Sequence, residues 1–221
     1  MSAGHTHIAV ILDRTGSMEV IRDDTIGGFN AFLEEQQAAP GAATLTLVQF
    51  DSQDPYEVIH HNVPIADVPR LTRETYVPRA MTPLLDALGR GILDLEHSLA
   101  SMPEEQRPER VVMAVITDGQ ENASREFSKE QVTRLIQDKQ ALLGWQFVFL
   151  SADLQAIEDA IRSGVRQAQA MAFDHSGQGV QAAMRAFSTR LREFRGNQRQ
   201  DVSFEQEDRD QQASEGARKQ S

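Results

Sequence analysis

Apolar runs of strand length alternate along the chain with segments whose apolar residues recur at helical spacing. Ile8–Asp13 (IAVILD) and Arg110–Thr117 (RVVMAVIT) are nearly continuous in hydrophobicity, as strands buried on both faces of a parallel sheet must be. Thr44–Phe50 (TLTLVQF) and Trp145–Leu150 read as two more strands, and Ala170–Phe173 as a short last one. Tyr56–His61 is less apolar and follows Thr44–Phe50 after only Asp51–Pro55. Such a short connection predicts a hairpin, hence one antiparallel edge strand. Between the strands, Ile26, Phe29 and Leu33 mark one face of a helix over 25–37, and Leu84, Leu88, Ile92, Leu95 and Leu99 mark a longer amphipathic one. For the latter, Thr82 is the expected N-cap and Pro83 the first helical residue.

Ser128 and Gln131 form a capping box ahead of Val132, Leu135 and Ile136. Leu154, Ile157 and Ile161 predict a helix ended by Gly164, and Val180, Met184, Phe187, Leu191 and Phe194 a final one. Strand and helix in alternation predict an α/β fold, a mostly parallel sheet with helices on both faces. One domain over 1–195 accounts for this pattern. After Gly196 only Val202 and Phe204 are large and apolar among Gln, Asp, Glu and Arg. The 196–221 segment is therefore expected to be a disordered tail, or one that orders on a partner.

Composition narrows the function classes. The formal net charge of −11 argues against a nucleic-acid partner, which would select a basic face. Absence of cysteine removes a disulfide framework, a thiolate nucleophile and a thiolate zinc site together. No stretch approaches a membrane span, and Ile8–Leu12 is too short for a signal-peptide core. A cytoplasmic protein with no membrane partner is the expectation.

The chemistry gathers at strand ends. Asp13, Thr15 and Ser17 lie in DRTGSM, just after the first apolar strand, and Asp118 ends another in ITDG. Ligands of open parallel sheets bind beyond the carboxyl ends of strands. Two carboxylates placed there on neighbouring strands repel, which a cation or a raised pKa resolves. With hydroxyls at Thr15, Ser17 and Thr82 the donors are all oxygen, a set suited to Mg²⁺, Mn²⁺ or Ca²⁺.

DRTGSM, MTPLLDA and ITDG, in this order, resemble the metal-ion-dependent adhesion site (MIDAS) of von Willebrand factor A-type (vWA) domains, whose pattern is Asp-x-Ser-x-Ser, a distant Thr and a distant Asp. Asp13 and Ser17 match directly, Thr15 stands where the family has its first Ser, and Thr82 and Asp118 take the other places. YVPRAMTPLLDA is similar to stand-alone intracellular bacterial and phage members. The resemblance spans residues 5–195. It implies a three-layer Rossmann-like fold with a six-stranded sheet in the order 3-2-1-4-5-6, and a cation at its upper edge. It also implies a non-enzymatic module whose metal takes a Glu or Asp from a protein partner, in a setting such as an AAA+ ATPase-associated, stress-response or phage assembly.

Two alternatives stand beside it. A Mg²⁺-dependent hydrolase or phosphotransferase would use Asp13 as nucleophile, but DRTGS lacks a second carboxylate two residues on. A scaffold or virion component would carry the metal incidentally. Elsewhere the readings are plainer: Arg14 as a solvated side chain, or one near the bound partner; Glu121 and Asn122 as an ordinary surface loop in preference to the rim of the site; Tyr76 and Pro78 as shaping the loop before Thr82. His60 and His61, adjacent on a strand, face opposite ways. His5 and His7 sit at the far end of their strand, and the glycines of HSGQG (Gly177, Gly179) open the last helix without a phosphate-binding fingerprint.

Overall fold

The computed structural model describes residues 4–217. Six strands form one sheet: β1 (Thr6–Asp13), β2 (Ala43–Phe50), β3 (Glu57–Pro64), β4 (Arg110–Thr117), β5 (Gln146–Ser151) and β6 (Ala170–Ala172), in the order β3-β2-β1-β4-β5-β6. All neighbours are parallel except β2 and β3. This is the architecture the hydrophobic pattern and the resemblance imply.

The helices are α1 (Arg22–Ala38), α2 (Leu84–Ser101), α3 (Lys129–Leu143), α4 (Leu154–Arg162), α5 (Gly177–Arg195) and α6 (Gln206–Ala217). Side chains of a strand alternate between faces, so β1 sends Ile8, Val10 and Leu12 to one core and Ala9 and Ile11 to another. The first core is closed by α1 and α5, where Phe32 and Phe187 stack with ring centroids 5.1 Å apart. The second is closed by α2, α3 and α4. The half-buried β3 sits at the edge, and its register against β2 shifts near Leu45 and Leu47. Among the described residues no helix is long and apolar enough to cross a membrane.

The capping box forms as the sequence predicts: Gln131 N donates to Ser128 Oγ, and Ser128 N to Gln131 Oε1. The predicted Thr82 cap does not. α2 begins at Leu84, with Pro83 in the cap position and no capping side chain from its own segment. Its free N–H groups are taken from outside, Leu85 N by Glu121 Oε2 and Asp86 N by Ser124 Oγ.

The segment after Gly196 also departs from the expected disordered tail. Val202 and Phe204 are buried in the α1/α5 core, Phe204 N donates to Ala168 O, and α6 follows. Asp208 accepts from Arg190 Nε and Nη2 at 2.8 and 3.0 Å, and Gln212 Nε2 reaches Gly179 O. Two well-placed apolar residues and one buried ion pair suffice to lay this strap along α5. Residues 218–221 of the expected tail lie outside the described residues.

Candidate metal centre

Because β1 and β4 are neighbours in register, their carboxyl ends bring Asp13 and Asp118 to one place on the sheet edge. Asp13 is fully buried. Its Oδ1 accepts from Thr15 N at 2.6 Å and its Oδ2 from Thr117 Oγ1 at 2.5 Å. Burial pushes its pKa up to about 7; the hydrogen bonds from Thr117 and Thr15 oppose this, while the charge of Asp118 adds to it. Ser17 Oγ donates to Asp118 Oδ1 at 2.6 Å and lies 3.3 Å from Thr15 Oγ1.

Thr82 arrives from a distant loop. A Cβ built on Gly119 would lie 3.9 Å from both Ser17 Oγ and Thr82 Oγ1, so the two hydroxyls face the same point beside the ITDG turn. Thr82 is buried at this point. The donor set thus fits a hard cation: two carboxylates, one of them uncomfortable without a counter-charge, and three hydroxyls. Among the described residues no three His, Cys, Asp or Glu side chains converge as a metal-binding group, so the hydroxyls are essential to any such site.

The loops that carry these residues are pinned to one another. Tyr76, fully buried, donates its hydroxyl to Asp13 O at 2.6 Å. Arg79 N bonds Arg14 O, and Gly16 N bonds Ala80 O. Ala80 holds a left-handed φ of 61°, a conformation costly for a side chain with Cβ unless its surroundings enforce it.

Arg14 is buried rather than solvated. Its Nε donates to Asp51 Oδ2 at 2.7 Å, and its Nη1 pairs with Glu57. Arg79 Nε shares Asp51 Oδ2. Burial alone would raise the Asp51 pKa, but hydrogen bonds from Arg79, the N–H groups of Asp54 and Gln53, and Arg14 outweigh it and hold the carboxyl below its ordinary value. Arg14 therefore braces the loop from behind.

Glu121 and Asn122 are likewise more than a surface loop. Thr82 N donates to Asn122 Oδ1 and Asn122 N to Thr82 O, so both faces of the Thr82 peptide unit are fixed by one residue. Glu121 caps α2 while binding Ala123 N and Ser124 N within its own turn. Asp86 returns the favour by accepting from the N–H groups of Arg125, Glu126 and Phe127. Asn122→Ala is expected to cost about 1–2 kcal/mol, because a buried N–H is left unpaired, and to weaken divalent-cation binding as Thr82 drifts. Thermal melts with a Mn²⁺ titration measure both; an unchanged Mn²⁺ affinity counts against Asn122 as the support of Thr82.

One residue at the site escapes a sequence reading altogether. His175, half-exposed, places Nε2 2.9 Å from Asp118 Oδ2. Only its place in the HSGQG turn, at the carboxyl end of β6, hinted that it belongs to the same sheet edge. His5 and His7, by contrast, both bond Thr44 Oγ1 at the opposite end of β1.

No family model matches the sequence, and no curated protein matches it. Solved structures do. The proximal thread matrix protein 1 (PTMP1) from the mussel byssus, with a zinc-occupied MIDAS motif, aligns at 17% identity and TM-score 0.58, over 86% of this chain and 46% of that one. The von Willebrand factor type A structure from Catenulispora acidiphila aligns at 12% identity and TM-score 0.55, over 85% and 42%. The fold is vWA-like. The pilus adhesin SpaC from Lactobacillus rhamnosus GG, in its open conformation, aligns at 12% identity and TM-score 0.64, over 87% and 30%. The chain spans less than half the length of each of these vWA-like neighbours.

Proposed function

We propose that this chain is a protein-binding module whose divalent cation, held by Asp13, Thr15, Ser17, Thr82 and Asp118, takes a Glu or Asp carboxylate from a partner. The observation that carries this reading is the meeting, at one sheet edge, of two carboxylates and three hydroxyls from three separate segments. When bound, Mg²⁺, or Mn²⁺ or Ca²⁺ in its place, would supply concentrated positive charge and a coordination position for an incoming carboxylate. In a chain of net charge −11, an acidic partner needs such a local attraction. The zinc-occupied MIDAS motif of PTMP1 and the adhesin role in the name of SpaC support the same reading by analogy.

The protein's own residues divide the work. Thr15, Ser17 and Thr82 present hydroxyls, while Thr117 and Thr15 N hold the Asp13 carboxylate in one orientation. Exposed apolar residues adjoin the ligand segments: Val20 follows DRTGS, and Met81 precedes Thr82. Around a partner carboxylate they would exclude water and strengthen the bond. We read the module as a binder rather than an enzyme, since no nucleophile with an adjacent base is needed to account for the arrangement.

Affinity capture from the native host, with Mg²⁺ or with EDTA, tests the reading on wild type and Ser17→Ala. A partner retained by wild type with Mg²⁺, and lost with either EDTA or the substitution, is the expected result. The same partners surviving both treatments would falsify the metal-bridged contact.

A further inference from the structure

The glycine-rich turn HSGQG has no part in the function proposed so far, yet it brings a histidine to the candidate metal centre. The turn leaves β6 with Phe173 N bonded to Ser151 O, and closes on Ser176, whose N–H meets Asp174 O. Ser176 Oγ then accepts from Gly179 N as the N-cap of α5. A Cβ at Gly179 would lie 2.1 Å from Asp174 O, so only glycine lets the backbone fold back this tightly. Between these fixed points His175 is held over Asp118.

Asp118 has a fully buried side chain. Its Oδ1 accepts from Ser17 Oγ and its Oδ2 meets His175 Nε2. An ionised carboxylate can only accept, so Nε2 carries the proton in this contact. We propose that His175 is a positioning residue: by donating to Oδ2 it locks the Asp118 carboxylate in the orientation in which Oδ1 and Ser17 Oγ serve the cation. This inference rests on the metal reading above. Without His175, Oδ2 loses the one side-chain donor it has among the described residues, and the carboxylate is free to turn about its terminal torsion, a soft and roughly two-fold rotation. Partners of this outer kind commonly govern metal affinity by one to two orders of magnitude, though they never touch the ion.

The test is a Mn²⁺ titration of the full chain by isothermal calorimetry, on wild type, His175→Ala and His175→Gln, with pulsed electron paramagnetic resonance on the Mn²⁺-loaded protein. Loss of the donor in His175→Ala is expected to weaken binding about 10- to 100-fold. His175→Gln, which keeps an N–H donor, recovers most of the affinity, and no ¹⁴N coupling from a directly bound imidazole appears. Equal affinity in wild type and His175→Ala overturns the proposal while leaving the metal centre standing. So does a Gln variant as weak as the Ala variant, or a ¹⁴N signal present in wild type and absent from His175→Gln, which would make His175 a ligand. A wild-type chain that binds no Mn²⁺ sinks the metal reading and this inference with it.

Discussion

In EDTA at pH 7.5, Asp13→Asn is expected to melt about 5–10 °C above the parent chain, and to have lost its affinity for Mn²⁺. The argument begins with burial. Asp13 is inaccessible to solvent, and its pKa in the fold is pushed from an ordinary 3.8 up to about 7. Between these values the native state keeps a proton that the unfolded chain has released. Stability therefore declines as pH rises from about 4 to 7, and stays lower by a few kcal/mol above that range.

Asparagine is uncharged and avoids this cost. Its Oδ1 still accepts from Thr15 N, and its Nδ2 donates to Thr117 Oγ1, whose own proton turns to Gly119 O. Scanning calorimetry from pH 4.5 to 8 in EDTA measures the effect. The wild type should lose stability across that range relative to the variant, with the two converging at the acid end. Excess Mg²⁺ should close the gap at neutral pH by stabilising only the wild type. A variant that melts below wild type at pH 7.5 in EDTA would show that the Asp13 charge is already compensated without a cation, and would remove the main electrostatic reason for placing one there.

The contrast between Asp13 and Arg14 shows what a sequence can and cannot disclose. Asp13 ends an unbroken apolar strand, and that position puts a carboxylate at the carboxyl edge of a sheet; its place beside Asp118 in ITDG follows from the strand order that the resemblance implies. The antiparallel edge follows from a similar local signal, a short connection, whereas the strand order is what the vWA resemblance implies. Arg14 is one residue further on, and its role depends on Asp51 and Glu57, which no local pattern links to it. The same holds for Asn122, which acts on Thr82, and for His175, which acts on Asp118. Thr82 next to Pro83 has the local appearance of a helix start, but the helix is capped across the site by Glu121 and Ser124 instead. Long-range polar pairs are thus the part of the candidate site that residue order conceals.

Phe204→Ala is expected to destabilise the chain by about 3–4 kcal/mol, lowering the melting temperature by roughly 10 °C. Phe204 is buried with Val202 in the core beneath α5, and its N–H is bonded to Ala168 O just before β6. Truncating the ring leaves a cavity that backbone pinned on the β6 side cannot readily fill. Arg190→Met probes the same strap by a different route. It leaves Asp208 buried with, among the described residues, the Glu205 N–H as its donor, where the parent has the guanidinium fork as well. Breaking one side of a buried pair generally costs about 3–5 kcal/mol. A disordered tail predicts no change for either variant, because residues already in water lose no packing. Urea unfolding followed by tryptophan fluorescence separates the two descriptions, Trp145 being buried in the other core, across the sheet. A loss of midpoint reported from that distance would mean that the strap belongs to one cooperative unit with the sheet. An unchanged midpoint in both variants would return residues 202–212 to the status of a tail, and with it the idea that α5 is held in place from outside.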